Sequence, residues 1–276
     1  MINLEPYGED CHEFHKTVVS KKYSKKSDPE YKERLNALDG QIEEVFEQYA
    51  ELLNEDNLKS IAPYGYSGQQ KTDLLSLYRY KSKILQELNV LLTTKDERKF
   101  NTCQMCTIEP VHSFDHIVPK EEFPEFVVNP INLLPCCFSC NGQKGDQWLI
   151  EGERAFLNLY YDILPEAQYL QVEFESYPIP IFSIDGSALD DNFSNLVQSH
   201  YENLDLFKRF RENSNEVIDP IVSSAKYTVP QLGIEKFKTI VEQSTNERRL
   251  KYGINHWKAI LELELVNHDD FESLLA

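Results

Sequence analysis

Two Cys-x-x-Cys pairs constrain this chain more than any other feature. Cys103 and Cys106 form the first and Cys137 and Cys140 the second; between them lie Asp115-His116 and Asn132, and Asn141 follows the last cysteine. Each knuckle lets two thiolates share one tetrahedral metal, and two knuckles complete a four-cysteine zinc site. Buried core cysteines and disulfides are the alternatives. Paired spacing on both sides, in a chain with six cysteines, favours zinc. The zinc is expected to be structural, with any chemistry beside it.

Asp115-His116 leads into Ile117-Val118-Pro119, an apolar stretch closed by proline, as at a strand that ends in a turn. Asn132-Leu133-Leu134-Pro135 precedes the second knuckle, and Pro135 stands just ahead of an expected helix carrying Cys137, Cys140, Asn141 and Lys144. Steps of three, four and seven residues put these four on one face. Metal binding by the two cysteines would then also fix where Asn141 and Lys144 point.

The order CxxC…DHxxP…NLxPxCxxCNxxKG, from Cys103 to Lys144, resembles the HNH nucleases, whose ββα-metal fold wraps two strands and a helix around one divalent cation. The resemblance implies that His116 is the general base and that Asp115 and Asn141 hold Mg2+ or Mn2+. It implies that Asn132 braces the loop carrying the histidine and that Lys144 sits near phosphate. Cys136, an additional thiol beside Cys137, departs from the pattern and leaves the ligand choice at that knuckle open. Lys120 and Phe123-Pro124 fit a variant similar to nucleases of bacterial anti-phage systems, in which an ATPase or sensor subunit would release the activity.

Elementary chemistry agrees. Phosphodiester hydrolysis needs an activated water, a charge sink and a stabilised leaving oxygen. An imidazole titrates near neutrality and can take the water's proton. Asp115 and Asn141 are hard oxygen donors that suit Mg2+ or Mn2+ better than zinc. The plain alternative for His116 is a histidine that merely packs or hydrogen-bonds. The corresponding alternative for the whole chain is a non-catalytic, zinc-stabilised DNA-binding or scaffold protein.

Charge argues against a freely acting nuclease. The net is −18, which repels a polyanion at long range, and residues 95–146 hold five Lys/Arg against eight Asp/Glu. The one basic stretch, residues 16–27 with Lys16, Lys21, Lys22, Lys25 and Lys26, reads as a solvated, partly mobile arm or as a contact to DNA, expected as duplex. No apolar run approaches a membrane span, residues 1–10 lack a signal peptide's regions, and zinc-binding thiols must stay reduced, so cytoplasmic residence is expected.

The flanks are helical in pattern. An amphipathic helix is expected from about residue 29 to 58, and a second from about 70 to 92, joined as a hairpin whose stripes are core or an oligomer seam. Residues 145–164 are expected to form a helix on the zinc module through Trp148, Leu149, Phe156, Leu159 and Tyr160. Residues 169–185 alternate as a β-hairpin; helices are expected over 194–218 and 246–266, with Arg209, Arg211, Arg248 and Arg249 as candidate phosphate contacts. The predicted fold is therefore mainly α with a small embedded ββα-metal zinc module. Its divisions are an N-terminal helical hairpin region (1–94), the nuclease module (95–162) and a mostly helical C-terminal region with the short β-hairpin (163–276).

Overall fold

The computed structural model describes residues 1–54, 56–95 and 97–276. The chain forms two compact units, one made of residues 3–105 and 109–163 and the other of residues 1–2, 106–108 and 164–276. The fold is mainly α, with four small two-stranded sheets among the described residues.

The first unit opens with α1 (Cys11–Ser20), capped by Asp10, whose carboxylate accepts from the His12 and Glu13 amides. Residues 16–20 of the expected basic arm lie in this helix, with Val18 and Val19 buried, and Lys22 Nζ donates to the Ser76 carbonyl at 2.7 Å. The stretch is thus a helix end and a turn rather than a mobile arm.

The helix expected over 29–58 is two helices, α2 (Tyr31–Ala37) and α3 (Asp39–Asn54), with Leu38 at the junction. Glu55, through which the expected helix ran, lies outside the described residues. The apolar stripe itself is core: Leu35, Ile42, Phe46, Tyr49 and Leu53 are all buried, which removes it as an oligomer seam. The second expected helix is likewise split into α4 (Gly68–Leu75) and α5 (Lys83–Leu92). Ser76 Oγ closes α4 on the Asp73 carbonyl at 2.7 Å, and Ser82 caps α5. Residues 76–82 become an irregular strap between two serine caps.

A small hairpin follows, β1 (Thr94–Lys95) with β2 (Arg98–Lys99), and then the ββα unit. Its strands β3 (Ser113–His116) and β4 (Leu133–Cys136) are antiparallel, with Asp115 opposite Leu134 and His116 opposite Leu133; α6 (Phe138–Lys144) completes it. The helix expected beyond Lys144 is absent. Gly145 (φ 54°) ends α6, and β5 (Leu149–Ile150) pairs with β6 (Glu153–Arg154). Glu151 and Gly152, both at positive φ (53° and 85°), make the two-residue turn that such a hairpin requires. Phe156, Leu159 and Tyr160 are nonetheless buried, as expected of their apolar character, and Tyr160 Oη donates to the Leu133 carbonyl at 2.6 Å.

The second unit starts with the predicted hairpin, β7 (Leu170–Ser176) against β8 (Ile179–Ile184), which turns through the cis peptide Tyr177-Pro178. Five helices follow: α7 (Asp191–Asn203), α8 (Leu206–Glu212), α9 (Asn215–Leu232), α10 (Ile234–Tyr252) and α11 (Trp257–Asn267). The single helix expected over 194–218 is broken at Asp205, in the left-handed region at φ 52°, and the one over 246–266 is broken at Gly253 (φ 100°). Trp257 stacks on Phe210 at 5.1 Å in this core. The four candidate arginines are engaged internally: Arg209 with the Leu204 carbonyl, Arg211 with Glu175, Arg248 with Glu262, and Arg249 with Gln168 and the Ile254 carbonyl. Each of the four thus already has an intramolecular partner. Among the described residues no helix is long and apolar enough to cross a membrane.

Candidate active site

Cys103, Cys106, Cys137 and Cys140 are buried, and their sulfurs all lie within 4.8 Å of one another. Backbone amides point at these sulfurs: Ile108 N lies 3.4 Å from Cys106 Sγ, and Cys140 N 3.3 Å from Cys137 Sγ. Such donors stabilise thiolates, and four buried sulfurs this close together could hold a zinc ion. Cys136 stands apart from the group. It pairs with Ser113 across β3 and β4, and its Sγ lies 3.3 Å from Ser113 Oγ. Of the two adjacent thiols, Cys137 is the one in the four-sulfur group.

Alternation along β3 sends successive side chains to opposite faces. Phe114 and His116 meet the strap between α4 and α5, with ring centroids 5.6 Å from Tyr80 and 4.7 Å from Tyr78 respectively. Tyr78 Oη also bridges the backbone of Phe114, 3.3 Å from both its N and O. Ser113 and Asp115 face α6. Asn141 Nδ2 donates to Ser113 Oγ (3.0 Å) and to the Phe114 carbonyl (3.1 Å); since a carbonyl can only accept, this fixes the amide's orientation and turns Oδ1 away from the strand. Lys144, expected beside phosphate, is buried instead. Its ammonium lies 3.2 Å from Asp115 Oδ1 and donates to the His116 carbonyl at 2.8 Å. Burial pushes the Asp115 carboxyl upward in pKa, against the opposing pull of Lys144.

His116 is held through one nitrogen. Its Nε2 lies 2.9 Å from the Val127 carbonyl, so Nε2 carries the hydrogen and Nδ1 keeps the lone pair. Burial lowers the imidazole pKa to about 3, with Lys120 and Lys144 adding to the effect, so the ring is neutral near pH 7. The loop that returns Val127 to the histidine is braced by Asn132. Its Oδ1 accepts from Val118 N (2.9 Å) and Tyr49 Oη (3.1 Å), and its Nδ2 donates to the Val118 and Phe126 carbonyls (both 3.2 Å).

A cleft of about 750 Å³ opens beside these groups, with Asp115, His116, Asn141 and Asp146 among its lining residues. Its rim carries Arg79, Lys81 and Lys120. The sequence pattern singles out neither rim residue of the strap, because helical periodicity runs straight through it. The alternation Tyr78-Arg79-Tyr80-Lys81, aromatic and basic in turn, was the available signal. The contribution of the Val127 carbonyl has no side-chain signature at all.

Comparison with known proteins matches the sequence from the first zinc knuckle to just past α6. Residues 103–147 match the HNH endonuclease family. The HNH match supports a nuclease-type function for this segment. The chain is also similar to protein ea31 of Escherichia phage lambda, 27% identical over 187 residues, which cover 61% of this chain and 62% of that protein. It is 34% identical to Septu protein PtuB of Bacillus thuringiensis over 59 residues, 21% of this chain and 23% of that protein. The chain thus spans less than two thirds of either relative. No solved structure matches it.

The HNH residues fit two metals of different chemistry. Four sulfurs suit zinc, whereas Asp115 and Asn141 offer oxygen to a harder cation. Lys144 engages one Asp115 oxygen, and a carboxylate has further lone pairs available to a cation.

Proposed function

We propose that this chain is a metal-dependent endonuclease that hydrolyses phosphodiester bonds of DNA in the cleft of its HNH module. One observation carries the reading: the bond from His116 Nε2 to the Val127 carbonyl, which puts the ring hydrogen on Nε2 and leaves the lone pair on Nδ1. His116 Nδ1 takes the proton of a water aimed at the phosphorus and holds it as imidazolium while the phosphorus–oxygen bond to the leaving 3′ oxygen breaks. Asp115 and Asn141 would hold Mg2+ or Mn2+, which when bound supplies a Lewis acid at the phosphoryl and leaving oxygens. Lys144 keeps Asp115 oriented, and Asn132 keeps the Val127 carbonyl on His116. The four cysteines would hold a structural zinc, in keeping with a reducing cytoplasm.

Arg79, Lys81 and Lys120 contact the phosphates flanking the cut bond. This local set of cations reconciles a nucleic-acid substrate with a net charge of −18, and a chain so acidic gains from a partner that delivers DNA. The resemblance of Lys120 and Phe123-Pro124 to the anti-phage variant of these nucleases favours such a partnered role in defence, with an ATPase or sensor as the second component.

The test is cleavage of supercoiled plasmid by zinc-loaded protein with Mg2+, with Mn2+ and with neither, beside His116→Ala of equal zinc content. Metal-dependent cleavage that vanishes in the variant is expected. Activity that survives in His116→Ala would refute the assigned base, and inactivity of the folded protein with every cation and candidate partner would favour a binding protein.

A further inference from the structure

Phe138 is 67% exposed, although it directly follows a buried zinc-knuckle cysteine. Isolated exposed aromatics are ordinary and by themselves say nothing. This one is stacked on another ring: His112 lies with its centroid 5.5 Å away and its plane inclined by 22°. Both rings line the cleft that also holds His116 and Asn141. Both are also anchored by their backbones. His112 N donates to the Cys136 carbonyl at 2.9 Å, and Phe138 opens α6 immediately after its N-cap, Cys137. The pair is therefore a preformed aromatic surface, costing little entropy on binding.

The strap between α4 and α5 lines the same cleft with Arg79 and Lys81. An aromatic platform beside cations that follow a phosphate backbone is the combination that binds unpaired nucleotides. In a continuous duplex the faces of the bases are covered by their neighbours, so a stacking platform has nothing to engage until a base is unpaired or extruded. Resting on the nuclease reading of this cleft, we infer that the His112–Phe138 pair stacks on an unpaired base next to the scissile phosphate. The cleft thereby selects single-stranded or locally unpaired nucleic acid over continuous duplex.

The test is fluorescence anisotropy with a labelled oligonucleotide, single-stranded or annealed as a blunt duplex. It uses the full-length zinc-loaded chain without added divalent cation, so that binding is read without cleavage and zinc is not chelated. The wild type should bind the single strand more tightly. Phe138→Leu keeps an apolar side chain but no ring face, and it should weaken single-strand binding roughly tenfold, the loss of one base–aromatic stack, while leaving the duplex unchanged. Phe138→Trp should retain single-strand affinity, and His112→Ala, outside α6, should reproduce the selective loss if Phe138→Leu folds poorly. Equal losses on both substrates, or none on the single strand, would overturn the inference. Selective loss without any Mg2+- or Mn2+-dependent cleavage would leave the platform standing and remove the nuclease reading. Cleavage of both substrates unaffected by Phe138→Leu would do the reverse.

Discussion

His116 Nε2 lies 2.9 Å from the carbonyl oxygen of Val127, eleven residues further along the chain. A backbone acceptor cannot change its protonation state, so it sets the imidazole tautomer regardless of pH and holds the ring plane. If Nδ1 is the base, His116→Ala should lower plasmid cleavage by about 10²- to 10⁴-fold, the range for loss of a general base. Zinc content should not change. Initial rates of nicking at saturating Mg2+ would decide this.

Removing the Asn132 side chain should unsettle the same histidine from a distance. Asn132→Ala leaves four buried partners, at Val118 N, Val118 O, Phe126 O and Tyr49 Oη, without their bonds. A loss of roughly 2–4 kcal/mol in urea unfolding is expected, against about 1 kcal/mol for Tyr49→Phe, which removes one bond.

The adjacent thiols Cys136 and Cys137 should behave oppositely. Cys137→Ala should abolish zinc binding and a folding contribution on the order of 10 kcal/mol. Cys136→Ala, which removes a thiol outside the four-sulfur group, should keep the full zinc content by elemental analysis.

At the rim of the cleft, Arg79→Ala and Lys81→Ala should each weaken DNA binding and reduce the slope of log affinity against log salt by about 1. Single-turnover cleavage at saturating protein should remain near the wild-type rate, because neither side chain is assigned to the proton transfer.

Acid should destabilise the fold through His15, buried in α1 against Phe46. Burial lowers its pKa from 6.5 to about 4, so below pH 6.5 the unfolded chain takes up a proton that the native one refuses. Stability is then lost as pH falls from about 6.5 toward 4, by on the order of 3 kcal/mol. Thermal melts across that range should show a shallower pH dependence for His15→Leu than for the wild type.

Much of the site was legible because metal ligation is local. Two knuckles and a helix face at steps of three and four residues require no knowledge of the rest of the chain. What escaped depends on termini and backbone. The apolar repeat on either side of Ser76 and Ser82 is compatible with one helix, and only the two serine caps announce the strap that brings Tyr78, Arg79 and Lys81 to the cleft. Glu151-Gly152 turned an expected helix into a hairpin through two positive φ angles. Lys144 and Asn141 share a helix face, as their spacing predicts, and both reach β3. The burial of Lys144 beside Asp115 follows from packing on β3, which spacing alone does not encode.

The bond between Tyr49 and Asn132 has a practical corollary. The residues that carry the family signature depend on a phenol from α3, more than fifty positions upstream of the first knuckle, to complete the polar clamp around their loop. A fragment trimmed to 103–147 would expose that clamp to water and lose a brace on the loop around His116. Any graft of this nuclease segment into another scaffold should therefore carry α3 along, or supply a hydroxyl where Tyr49 stood.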